Sequence, residues 1–263
     1  MIINRADYIA KLSAKSWNGK VKIITGIRRC GKSFLLSVLF KQHLIETGVT
    51  EDSFIEIDLE KRRDVKYRNP NVLYDYVVKK SSDMGKRYYV FIDEIQLSYR
   101  VKSTDIDEKS VPEEDRELLY TTFYDVLNDL MGHPNLDVYV TGSNSKMLST
   151  DIVTNFRDRG SEIRVYPLSF KEFCQTKELD KIDALEEYLA YGGMPLAVLE
   201  DDEAEKRKYL INLYKNVYLK DIIERNKLKD ITLLDTLTDV LSSSVGSLTN
   251  PQKLANTACS ILG

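Results

Sequence analysis

Cysteine is scarce in this chain and lacks the patterns that make it structural. Its 263 residues include three: Cys30, Cys174 and Cys259. They are odd in number, far apart and without metal-type spacing, which excludes a disulfide framework and points to a reducing compartment. Also missing is an apolar run of about 18 residues, the length that spans a bilayer. The start shows no signal-peptide pattern. A cytoplasmic protein with no membrane partner is therefore expected. Neither sign of charge dominates: 38 Lys and Arg stand against 41 Asp and Glu, a net charge of −3. No global pull toward nucleic acid or membrane follows, so any such contact must use a local patch. What is present is an ordinary balance, 43% hydrophobic and 30% charged. That length accommodates one α/β domain plus a smaller helical one.

The informative stretch begins at Lys22-Ile23-Ile24-Thr25, a short apolar strand. Gly26-Ile27-Arg28-Arg29-Cys30-Gly31-Lys32-Ser33 follows at once, then an apolar helix from Phe34 to Phe40. This is the G-x-x-x-x-G-K-S phosphate-binding loop in its strand–loop–helix context. Gly26 and Gly31 let the backbone curl so that its N–H groups, from Ile27 through Phe34, face phosphate oxygens. Lys32 reaches the β- and γ-phosphates, and the Ser33 hydroxyl ligates Mg²⁺. The helix start adds its positive dipole end. Cys30 sits inside the loop, either as a small residue that fits the turn or as an oxidation-sensitive one.

Tyr88 to Ile92 is a continuous apolar run, as expected of a central parallel strand buried on both faces. It ends in Asp93-Glu94. Asp93 fits the role of holding Mg²⁺ through its water shell. Glu94 fits the base that orients and polarises an attacking water. A third strand, Leu136 to Thr141, runs into Gly142-Ser143-Asn144. If it lies between the other two, Ser143 or Asn144 senses the γ-phosphate. The same two residues also suit an N-cap for a helix from Ser145.

The remaining pattern alternates strands and helices, which demands a parallel sheet covered on both faces. A helix is expected at residues 4–14, a strand from Ser53 to Leu59, and a helix from Pro70 to Met84. Residues 98–117 show no apolar period and read as a mobile insertion. A helix is expected from Leu118 to Met131 and a strand from Glu162 to Tyr166. From Ser169 onward only helices are expected. The one at Glu205–Lys229 carries eight Lys or Arg against three Asp or Glu. It reads as an amphipathic lid helix with a solvated face, or alternatively as a patch for a DNA backbone.

On these motifs the chain resembles AAA+-type ATPases, and more narrowly a prokaryotic group whose ATPase core precedes a C-terminal domain of uncharacterised function. Tyr166-Pro167-Leu168-Ser169-Phe170-Lys171-Glu172-Phe173 and Tyr188-Leu189-Ala190-Tyr191-Gly192-Gly193-Met194-Pro195 carry the likeness through the later chain. The resemblance implies residues 1–168 as the ATPase core, 169–230 as a helical lid, and 231–263 as the start of a truncated winged helix-turn-helix. It implies that Pro195 packs on adenine, as in related STAND-like signal-transduction ATPases; the same Gly-Gly and Pro also suit a simple helix break. It implies an arginine finger at Arg159, or otherwise Arg157, acting in cis or from a homo-oligomer or protein partner. Arg28 and Arg29 either read phosphate charge or lie solvated on the loop. A DNA-reading helix would fall beyond Gly263, so DNA binding is expected only through a missing C-terminal region.

The expectation is thus an ATPase using ATP and Mg²⁺ as a nucleotide-driven conformational switch, slow without a partner. Two alternatives stand: an adaptor that binds ATP or ADP with little turnover, and a P-loop kinase. Asp93-Glu94 argues against the kinase, since it suits activation of water better than of a hydroxyl. No guanine-reading N-K-x-D follows the third motif.

Overall fold

The computed structural model describes residues 2–104, 106–142, 160–177, 179–219, 222–223 and 231–262. Five strands form one parallel sheet in the order β2-β3-β6-β1-β7. They are β1 (Val21–Thr25), β2 (Phe54–Asp58), β3 (Tyr88–Asp93), β6 (Leu136–Gly142) and β7 (Gly160–Arg164). Burial explains the order. Every residue of β1 and β6 is buried, and so are the first five of β3, whereas β2 buries only Ile55 and Ile57 and β7 only Ile163, and these two take the edges. A strand covered on both faces needs an apolar run, and these three have one.

The side-chain alternation of a strand sends neighbours to opposite faces. Ile23, Val90 and Ile92 join one core, with Leu73 and Val77 of helix α3 (Pro70–Lys80) and Leu127 of α4 (Phe123–Leu130). Ile24, Tyr89 and Phe91 join the other, with Leu12 of α1 (Ala6–Lys15) and Leu36 and Phe40 of α2 (residues 32–46). Helix α2 runs through three consecutive segments, Lys32–Phe34, a π-wound Leu35–Phe40, and Lys41–Glu46. The sheet is therefore a P-loop NTPase α/β sheet of the AAA+-like kind, with helices on both faces.

Several expected boundaries shift. The stretch at 98–117 is not featureless: β4 (Val101–Lys102) pairs antiparallel with β5 (Tyr120–Thr121), with 3₁₀ turns Glu108–Ser110 and Glu113–Leu119 between them. Pairings this short leave no periodicity to read. The next helix starts at Phe123, not Leu118, because Thr122 and Asp125 close a capping box there. The last strand is Gly160–Arg164, two residues earlier than expected. Helix α3 ends at Lys80, before the expected Met84.

The described chain divides into two compact units, Met1–Lys206 and Arg207–Gly263. In the first, helices α5 (Phe170–Phe173), α6 (Lys181–Tyr191), α7 (Pro195–Leu199) and the start of α8 (Glu203–Leu213) follow the sheet. Phe173, Ala184 and Val198 bury a small core with Ile3 and Leu168. The second holds a π-wound turn, Tyr214–Leu219, then α9 (Ile231–Ser243) packed on α10 (Pro251–Leu262). Asn250 caps α10, accepting from the Lys253 N–H at 2.8 Å. Past Leu219, the basic segment expected to extend to Lys229 lies largely outside the described residues. None of the described helices is long and apolar enough to cross a membrane.

Gly193 shows how tightly the helical part of the first unit meets the strand side. The Leu168 N–H donates to the Gly193 carbonyl at 2.7 Å, and a Cβ on Gly193 would lie 2.0 Å from the Leu168 oxygen. Both groups are backbone, so neither can rotate away. Gly193→Ala is expected to destabilise the unit by about 3 kcal/mol, the upper range for overpacking. Urea unfolding checks it; an unchanged midpoint would mean the two backbones separate without cost.

Candidate functional site

All five strands run the same way, so their C-terminal ends share one edge of the sheet, where ligands bind in open α/β folds. The loop after β1 lies on this edge. Gly26 has φ 149° and a Cβ there would sit 2.2 Å from the Val165 carbonyl oxygen. Only glycine fits against β7's exit. Arg29 at φ 66° and Gly31 at φ 95° give the loop its left-handed steps. The Cys30 N–H reaches back to the Ile27 carbonyl at 3.4 Å, and Leu35 N–H to Gly31 at 2.8 Å starts α2. Lys32 is 4% exposed, and its ammonium spans the loop to the Ile27 carbonyl at 3.1 Å. Ile27, Arg28, Arg29 and Phe34 are exposed around this crown, whereas Cys30 is buried. Burial also pushes the Cys30 thiol up, against the opposing pull of Lys32 and Arg5.

Beside the loop, three side chains converge, one from the start of α2 and two from the ends of β3 and β6. Ser33 Oγ donates to Asp93 Oδ1 at 2.9 Å. Thr141 Oγ1 donates to the same oxygen and accepts the Glu94 N–H at 3.1 Å. Burial pushes the Asp93 carboxyl up; the Thr141 and Ser33 hydrogen bonds oppose this, while Glu94 and Asp58 add to it. A carboxylate in that position gains most from a cation. Glu94 has φ 53° and ψ 50°, a left-handed backbone that turns the chain at once after β3. Such a backbone costs a non-glycine residue about 1–2 kcal/mol. Its carboxylate accepts a hydrogen bond from the Gln96 amide.

Strand order brings the expected residues together. β6 lies between β1 and β3, the placement on which a sensing role for its end depended. Lys32, Ser33, Asp93 and Glu94 meet on one edge. Pro195, first residue of α7 after Gly192 (φ 70°) ends α6, lies against the loop: its Cγ is 3.7 Å from where a Gly31 Cβ would be. Ser143, Asn144, Arg157 and Arg159 fall outside the described residues. Thr141 is the site residue that sequence reasoning missed. The signal available was its place at the end of the central strand, where a hydroxyl among apolar residues had no packing reason.

The donor set fits Mg²⁺ shared with a phosphate ligand: one hydroxyl and one carboxylate, both oxygen donors, with the rest of an octahedron left to phosphate and water. The loop fits phosphate, with the buried Lys32 ammonium lying across it and a helix starting at its end.

Comparison with known proteins agrees with this fold. A family model described as an AAA domain matches residues 18–174, and a model described as a domain of unknown function matches residues 182–261. An uncharacterised protein of Haemophilus influenzae is 30% identical over 98% of this chain and 60% of its own length. An uncharacterised protein of Methanocaldococcus jannaschii is 28% identical over 90% of this chain and 49% of its own length. The chain thus spans about half to three fifths of these relatives. Among solved structures, a Walker-type ATPase of Pyrococcus abyssi superposes with a TM-score of 0.54 at 16% identity, covering 99% of this chain and 89% of that one.

Proposed function

Because this chain belongs to the AAA domain family, we propose that it binds ATP with Mg²⁺ and hydrolyses it. The observation that supports this most is the meeting of Ser33, Asp93 and Thr141 beside the loop that holds Lys32. Lys32 and the loop N–H groups hold the β- and γ-phosphates. Ser33 and Asp93 hold Mg²⁺, which when bound offsets charge on those phosphates. Glu94 holds the attacking water and takes its proton. The water oxygen bonds to the γ-phosphorus as the bond from that phosphorus to the β,γ-bridging oxygen breaks, and ADP leaves with the electron pair. Thr141 ties Asp93 and the Glu94 backbone together, so metal holder and base are set by one hydroxyl. Pro195 contacts adenine, Ser143 or Asn144 senses the γ-phosphate, and Arg159 or Arg157 completes the charge balance, in cis or from a partner copy.

Pro195 links the loop to the helices that follow the sheet, and this supports a switch: residues 169–230 act as a lid that nucleotide draws toward the core. A second reading has specific support. The Glu94 carboxylate is engaged by Gln96, which favours an adaptor that holds nucleotide and turns it over slowly.

The test is nucleotide content of the purified protein together with phosphate release from Mg²⁺-ATP. Lys32→Ala is expected to weaken ATP binding by about a hundredfold, since it removes a charge-assisted contact from a buried site. Unchanged binding in that variant would remove the loop from the mechanism.

A further inference from the structure

Arg5 precedes the first helix, far in sequence from the loop, yet it is 4% exposed and satisfied on three sides. Its Nη1 donates to the Cys30 carbonyl at 3.2 Å, its Nη2 to the Tyr166 carbonyl at 2.8 Å, and its Nε to Glu172 Oε1 at 2.9 Å. A longer contact joins Nη2 to Glu172 Oε2 at 3.4 Å. The guanidinium also lies 4.4 Å from the centroid of the Tyr8 ring. Burying an arginine is costly unless it is paired and hydrogen-bonded, and this one is both.

Two features of this arrangement bear on the loop. First, the Cys30 carbonyl and the Gly31 N–H belong to one planar trans peptide, so they point in opposite directions. By holding the carbonyl, Arg5 turns the Gly31 N–H away from itself and fixes one of the donors a phosphate needs. Gly31, at φ 95°, would otherwise be the freest residue of the loop. Second, Glu172 is a capping residue. Its Oε2 accepts from Ser169 N–H at 2.8 Å and Ser169 Oγ at 3.0 Å, closing the box that starts α5. The loop peptide, Arg5, Glu172 and the N-cap of α5 thus form one connected path of charge-assisted bonds. Ile3, two residues before Arg5, packs in the small core with Leu168 and Phe173, so the segment is held on both sides.

We propose that Arg5 is a positioning residue: it orients the Cys30–Gly31 peptide for phosphate and passes occupancy of the loop to residues 166–172. Resting on nucleotide binding at the loop, this inference names the contact that couples that site to the helices following the sheet. Lysine cannot replace the planar fork, because one ammonium cannot reach the two carbonyls and the carboxylate in this geometry.

The experiment uses the full chain as wild type, Arg5→Lys and Lys32→Ala, with ADP and Mg²⁺-ATP as probes, well below each variant's melting temperature. Calorimetry gives affinity, and amide hydrogen exchange gives protection at 26–33 and at 166–173. In the wild type, nucleotide is expected to slow exchange in both segments. Arg5→Lys is expected to bind about tenfold more weakly, the loss of one charge-assisted hydrogen bond. At saturating nucleotide it should keep protection at 26–33 and lose it at 166–173. Wild-type affinity in Arg5→Lys, or protection at 166–173 that survives the substitution, would overturn the proposal. Should Arg5→Lys fail to fold, Glu172→Gln, which leaves the guanidinium in place, must lose the same protection. A wild type that binds no nucleotide, or a Lys32→Ala that binds normally, would instead sink the nucleotide reading itself.

Discussion

Glu94→Gln is expected to slow phosphate release from Mg²⁺-ATP by about a hundredfold to ten-thousandfold while ATP stays bound, the range that a positioned base contributes. The amide keeps the shape of the side chain but cannot take a proton from water. Binding should survive because the groups assigned to phosphate, Lys32 and the backbone of 26–33, are untouched. The Glu94 backbone is also independent of its carboxylate, since its N–H is held by Thr141 at 3.1 Å. Single-turnover phosphate release and calorimetry on the same sample check both halves. Undiminished release would remove Glu94 from the base role and shift attention to the residues beyond β6. Lost binding would mean that the carboxylate holds the loop rather than the water.

Asp137→Ala is expected to destabilise the sheet by about 3–5 kcal/mol, the cost of leaving a buried charge without its partner. That is a large share of a domain's usual 5–15 kcal/mol or so. Lys22 is 0% exposed and Asp137 2% exposed, and the two are directly ion-paired between β1 and β6. Asp137 Oδ2 also accepts from the Tyr139 hydroxyl at 2.8 Å and the Trp17 N–H at 3.0 Å. Burial already holds the Lys22 ammonium below its ordinary value, with Asp137 pulling it back up. Without Asp137 the pull is gone and the folded-state value drops further.

The pH dependence of Asp137→Ala follows from that shift. Between the lowered folded value and the unfolded value, about 10.4, the unfolded chain binds more protons. Stability contributed by this site therefore rises with pH across that window, and the penalty is fully present below it. The gap between variant and wild type should narrow from pH 7 toward pH 9.5. Urea midpoints across that range measure it. A gap that widens would mean Lys22 is not the buried charge that matters.

Some of this was legible in the sequence because it is local. Gly26, Gly31, Lys32 and Ser33 act within one turn of backbone, so their spacing alone specifies the loop. Asp93 and Glu94 follow an apolar run that only a central parallel strand requires. The 101–102 and 120–121 pairing was not legible, since two residues carry no period. Nor was Thr141, a single hydroxyl whose meaning depends on which strands flank it.

Chain order and local spacing were thus enough to specify a strand–loop–helix phosphate site, a carboxylate pair and an alternating α/β layout. The packing decided everything that joins distant segments: Thr141 on Asp93, Pro195 beside Gly31, Lys22 against Asp137, and Arg5 between Cys30 and Glu172. Each of these is a contact between residues separated by dozens of positions or more. Hydrophobic periodicity reports which face of an element is buried, but not which neighbour it meets. That choice is made when the sheet orders its strands, and the polar partners follow from it.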